Sequence, residues 1–127
     1  MNRVGCSLLA SIALLSGCEK KSATILTGFD PGPTPVELAP GEAAFNRNCS
    51  SCHGGRAIGS TTAPPLVHII YEPSHHGDEA FRRAIAQGAV AHHWSFGPMP
   101  PVPNLPPDDV EAIIRYVRWL QQRAGIT

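Results

Sequence analysis

The 127 residues are one domain's worth of chain, and 10 Lys+Arg balance 10 Asp+Glu, so the formal net charge is zero. That balance excludes a nucleic-acid binder working by bulk charge, because neutralising phosphates needs a basic excess, and it excludes an acidic disordered tail. With 13 prolines, 12 glycines and 6 % aromatic residues the fold must be rich in turns and short of large packing groups, and no apolar run reaches the roughly 18 residues of a membrane-spanning helix.

Arg3 gives residues 1–17 a positive start, and Val4 to Leu15 form an apolar stretch too short to span a bilayer. Small residues before a cleavage point mark a secretory signal, and Leu15-Ser16-Gly17-Cys18 resembles the lipobox of bacterial lipoproteins. The resemblance implies cleavage before Cys18, a diacylglycerol thioether on its sulfur and acylation of the new amino group. Two or three acyl chains anchor firmly, since each buried methylene contributes about 0.8 kcal/mol. The alternative is a signal cut elsewhere that releases an unanchored protein. Glu19, rather than Asp, follows the lipid cysteine, which points to outer-membrane sorting where enteric rules apply. Residues 18–40 hold four prolines and two glycines with no helical period. They read as an extended tether stiffened by Pro31, Pro33 and Pro35, with Lys20 and Lys21 close to anionic headgroups.

The folded unit is expected over residues 41–127. A first helix is expected from Gly41 to about Ser51, with Glu42 in its first turn and Gly41, Phe45 and Cys49 one turn apart on one face. A second runs from Asp78 to Gln87, with Phe81, Ala84 and Ile85 as its apolar stripe and Gly88 as a left-handed cap. The last starts at Pro107, carries acids at Asp108, Asp109 and Glu111, and buries Val110, Ile113, Ile114, Val117 and Leu120. Between the second and third helices, Pro98 to Pro107 can only be stiff extended loop. No strand signal rises above background. Short helices and long loops bury little apolar area, so a unit of this size needs a staple, whether disulfide, metal or cofactor.

Cys6 leaves with the signal and Cys18 is taken by lipid, which leaves Cys49 and Cys52. Cys49-Ser50-Ser51-Cys52-His53 is the C-x-x-C-H haem-attachment pattern. Two thiols one helical turn apart can add to the two vinyl groups on one porphyrin edge, and the next residue, His53, then offers an imidazole to the iron. A thioredoxin-like dithiol needs a strand before the motif, and none is evident. A zinc site would need a fourth ligand, which the other histidines could supply. Met99, in Gly97-Pro98-Met99-Pro100-Pro101, is a thioether on a stiff loop and the candidate sixth ligand, against a filler role for a lone Met. His68, His75, His76, His92 and His93 are a surplus. They read as solvated loop histidines, as a second metal site, or, for His92 or His93, as a rival axial ligand.

With these residues in place the chain resembles the bacterial class I c-type cytochromes. The matching residues are Gly41, Phe45 and Cys49 to Gly54, then Ala63-Pro64-Pro65-Leu66, Met99-Pro100-Pro101, and Asp108 to Leu120 with Tyr116. The resemblance implies an all-α fold of three to four short helices and long loops wrapped around one covalent haem c. It implies a crossing of the first and last helices at Gly41, with Phe45 packing on Ile113 and Tyr116. It also implies that the Pro64 carbonyl, rather than that of Pro65, orients the His53 ring. Trp94 and Tyr71 are candidates for the haem edge. Lysines are confined to Lys20 and Lys21, so the docking surface for redox partners is expected to be weakly charged. No general base, nucleophile or substrate pocket is suggested, so no enzyme is expected. The leading reading is a lipid-anchored one-electron carrier of the cell envelope, working between a redox-protein donor and acceptor. A haem sensor binding NO or CO and a peroxidase are the alternatives.

Overall fold

Pro40 at the start and Glu42 in the first turn favour a helix, and α1 runs Ala39–Asn48. The helix expected to reach Ser51 breaks instead at Cys49 (φ −124°, ψ −33°) and resumes as α2, Ser50–His53. The cause is local competition for carbonyls. Asn48 Nδ2 donates to Ala44 O at 2.8 Å and Ser50 Oγ donates to Asn46 O at 2.7 Å, so side chains take acceptors at the end of the α1 ladder. Helix α3 spans Asp78–Gln87, as its periodicity predicts, burying Phe81 and Ile85. Helix α4 spans Pro107–Arg123 and buries Ala112, Ile113, Ile114, Tyr116, Val117, Leu120 and Gln121. These elements come from a computed structural model that describes residues 28–127. The described residues form an all-α unit with short 3-10 turns at Val36–Leu38, Gly55–Ala57 and Ile69–Tyr71, and one isolated bridge between Ala89 and Met99.

The core forms where α1 crosses α4. Gly41 makes the crossing possible, because a Cβ there would strike the Ala112 carbonyl oxygen and lie 3.0 Å from Tyr116 Cβ. Phe45 and Tyr116 then meet with ring centroids 5.7 Å apart. Both belong to one cluster with Ile113, Ile114, Val117 and Leu120. Burial pushes the Tyr116 phenol up to about 12, helped by the Glu42 carboxylate, so the phenol stays protonated. It donates to Glu42 Oε1 at 3.4 Å.

The segment before α1 corrects the expected tether. Phe29 packs against the core, Pro31 is buried, and Arg123 Nε donates to Pro31 O at 3.0 Å. Asp30 pairs with Arg56 at 2.7 Å. The stretch lacks a helical period, but one aromatic and one buried proline suffice to dock it beside the end of α4. The chain is therefore packed from Phe29 onward. The signal expected at residues 1–17, and Cys18, Lys20 and Lys21, lie outside the described residues.

Helices α3 and α4 are joined by a bidentate pair, Arg82 Nε to Glu111 Oε1 at 2.6 Å and Nη2 to Oε2 at 2.8 Å, with Glu79 at 2.6 Å from Nη1. Hydrogen bonds from Arg82 hold the Glu111 carboxyl below its ordinary value of 4.5. A carboxyl depressed on folding contributes stability above the unfolded value and loses it as pH falls through the folded one. The thermal midpoint should therefore decline from pH 6 to pH 3, and Glu111→Gln should flatten that decline. Melting curves across this range measure both.

Candidate functional site

The residues around Cys49 are arranged by two changes of chain direction. Gly54 ends α2 at φ +75°, and a Cβ there would collide with the Gly59 carbonyl oxygen, so only glycine fits. Arg56 and Ala57 follow at φ 56° and 57°, a left-handed pair that costs roughly 1–2 kcal/mol per residue. The neighbouring chain holds them there. Leu66 and Val67 amides donate to Ala57 O at 2.8 and 3.2 Å, and Asp30 pairs with the Arg56 guanidinium at 2.7 Å. The Gly59 amide returns to His53 O at 2.7 Å. The strained loop thus clasps the Pro64–Val67 strip against α2.

That clasp fixes His53. The residue is 8 % exposed, and its Nδ1 lies 2.9 Å from Pro64 O. A carbonyl only accepts, so Nδ1 carries the proton and Nε2 keeps a lone pair. The proline whose carbonyl meets the ring is Pro64, and Pro65 is buried behind it. Burial holds the imidazole below its ordinary pKa, against a smaller opposite effect from the Pro64 bond, so the ring is neutral and ready to ligate.

Cys49 and Cys52 are both free thiols, the first partly buried and the second exposed. Burial, with Cys52 beside it, pushes the Cys49 thiol up to about 11, which keeps it protonated. Met99 sits where the Pro-rich loop touches back on the chain after α3. Its amide donates to Ala89 O at 2.8 Å and its carbonyl accepts from Ala89 N at 3.0 Å. Both backbone hydrogen-bonding groups of Met99 are therefore spoken for, between Pro98 and Pro100.

Trp94 and Tyr71 meet each other, Trp94 Nε1 donating to the Tyr71 hydroxyl at 3.1 Å. Two residues outside the sequence reading organise this side. Gln121 is 1 % exposed and donates to Leu66 O at 2.8 Å and Tyr71 O at 3.0 Å. Arg118 donates to Tyr71 O and to Gln121 Oε1, both at 2.7 Å, and to His76 O. A glutamine one turn after Val117, on the apolar face of α4, was the available signal for the first. Arg118 had none, because an arginine near a helix end is already accounted for by the dipole.

A family-level sequence profile described as Cytochrome c matches residues 38–121. The chain belongs to the cytochrome c family. The match begins next to the docked N-terminal segment and ends on Gln121, so it covers α1 and all but the last two residues of α4 in this cytochrome. No curated protein and no solved structure matches it. Membership brings one covalently attached haem c, and the residues present fit that group. A sheltered, neutral imidazole with its tautomer fixed stands directly after two reduced thiols one turn apart, and among the described residues no hydrogen bond takes up its Nε2.

Proposed function

We propose that this cytochrome is a one-electron carrier of the bacterial cell envelope, exported by residues 1–17 and tethered to a membrane through lipidated Cys18. Cys49 and Cys52 would hold the haem through thioethers, His53 and Met99 would offer a nitrogen and a sulfur to its iron, and the Pro64 carbonyl would keep the His53 ring oriented. When bound, haem c supplies an iron that accepts and releases one electron. The observation that carries the reading is the buried His53, its tautomer fixed by the Pro64 carbonyl, directly after Cys49 and Cys52 in a chain of the cytochrome c family.

Each residue has a physical task. The Pro64 carbonyl raises the basicity of His53 and prevents ring rotation. The Ala89 bridge and the flanking prolines hold the Met99 backbone in place, so that its thioether would be offered to the haem from a stiff loop. A thioether, being soft, favours the reduced metal and raises the potential relative to two imidazoles. No helix of the described residues is long and apolar enough to cross a membrane. The lipid tether is read from Leu15-Ser16-Gly17-Cys18 alone. The tether concentrates the domain near one membrane face, where a redox-protein donor and acceptor are met. The absence of lysine from the domain suits a weakly charged docking surface.

Spectra of the mature protein test this. The wild type should show the far-red sulfur-to-iron band when oxidised and should resist CO when reduced. Met99→Leu should abolish the band, lower the potential and admit CO. A wild type that lacks the band and binds CO readily would favour the ligand-sensing reading instead.

A further inference from the structure

Four of the surplus histidines, scattered over nineteen residues of sequence, converge in space. His75 and His76 lie in the turn before α3, and His92 and His93 lie in the bend before Met99. Ring centroids are 4.6 Å apart for His75 and His76, 5.1 Å for His76 and His93, 5.3 Å for His75 and His93, and 4.1 Å for His92 and His93. One ring nitrogen from each of His75, His76 and His93 falls within 4.8 Å of the other two. His93 Nε2 is sheltered from solvent and has no hydrogen-bond partner, although the ring as a whole is partly exposed. We propose that His75, His76 and His93 form a second metal site, separate from the haem, that takes a divalent first-row transition ion such as Cu(II) or Zn(II).

The donor set selects the ion. Imidazoles suit copper, zinc and nickel, whereas calcium and magnesium need oxygen ligands. No carboxylate joins the group. Metal–nitrogen bonds of about 2.0–2.1 Å place tetrahedral ligands roughly 3.4 Å apart, so small ring rotations close the site. The backbone prepares one ligand. His76 Nδ1 donates to Ile70 O at 2.7 Å, which leaves Nε2 as the lone-pair nitrogen, the arrangement usual for ligating histidines. His92 is set the same way, Nδ1 donating to Val90 O at 2.8 Å, and its ring stacks on His76 at 5.7 Å, beside the three. His68 is turned to other use, since its Nδ1 accepts from the Ile70 amide at 3.2 Å.

One nearby cation is answered within the protein. The Arg118 guanidinium reaches the His76 carbonyl but is paired with Asp78 at 2.8 Å, so little net positive charge faces the site. Packing alone does not explain the cluster either. A sheltered ring nitrogen without a partner is a cost that an apolar ring would not incur and a metal ion would remove.

The test uses the full haem-loaded chain, cleared of metal and titrated with Zn(II) against a chromophoric chelator. One ion per chain is expected, and Cu(II) in its place should bind more tightly and show nitrogen hyperfine structure in its electron paramagnetic resonance spectrum. His93→Gln should weaken binding by about 100-fold or more, given that loss of even an outer-shell partner costs 10–100-fold. His75→Gln, at an exposed position, should weaken it similarly, and covers the case in which the His93 variant does not fold. Unchanged affinity in both variants, or no zinc held by the wild type, would overturn the proposal. So would a haem spectrum that shifts on zinc addition, since the site would then contain an iron ligand.

Discussion

Gly41→Val should be among the most damaging single substitutions in this protein. The new Cβ would collide with the Ala112 carbonyl oxygen and press on Tyr116 Cβ at 3.0 Å. Backbone cannot rotate aside as a side chain can, so α1 and α4 must separate. Phe45 and Tyr116, both almost fully buried, then lose their mutual packing. The cost is about 3 kcal/mol, the upper end of the usual overpacking range. For a domain of this size each kcal/mol shifts the midpoint by roughly 4–8 °C, so melting should move by roughly 10–25 °C. Ala43→Val, exposed on the same helix, is the control and should cost under about 1 kcal/mol. Equal midpoints for the two variants would contradict the close crossing.

Arg118→Met should be the second. The side chain is 13 % exposed and reaches Tyr71 O, His76 O, Gln121 Oε1 and Asp78, with its guanidinium 4.7 Å from the Phe81 ring centroid. Methionine replaces the apolar contact and none of the donors. Tyr71 O retains Gln121 Nε2, but His76 O, Gln121 Oε1 and Asp78 lose their partner. The expected loss is about 3 kcal/mol or more, from two sheltered acceptors left unpaired and one broken charge-assisted bond. Lysine should not rescue it, because a single ammonium cannot serve acceptors on both sides of a planar fork. Hydrogen exchange should locate the damage. Amides of residues 71–77 should lose protection in Arg118→Met while those of α1 and the C-terminal half of α4 keep theirs, whereas uniform loss would mean that Arg118 supports the whole fold rather than this loop.

Much of the architecture was legible in the residues. Helix α3 had its bounds written in Asp78 and Gly88, and the start and stripe of α4 followed from Pro107 and the spacing of Val110, Ile113, Ile114, Val117 and Leu120. The crossing at Gly41 and the Pro64 carbonyl came from resemblance rather than periodicity, and the coordinates supply a contact for each. The break at Cys49 was not legible, because Asn48 and Ser50 announce competition for carbonyls only once their rotamers are known. The docking of Phe29 and Pro31 escaped for a related reason. Proline-rich chain without a period looks the same whether it lies in water or against a core.

The sequence by itself determined the helical class, the C-x-x-C-H attachment pattern with its following imidazole, and the lone thioether on a stiff loop. Short-range spacing encodes each of these, and spacing survives any fold. Only the tertiary structure decided which way the His53 proton faces, which carbonyls Arg118 and Gln121 serve, and that His75, His76 and His93 stand together. Those depend on contacts between residues far apart in the chain, where distance in sequence carries no information about distance in space.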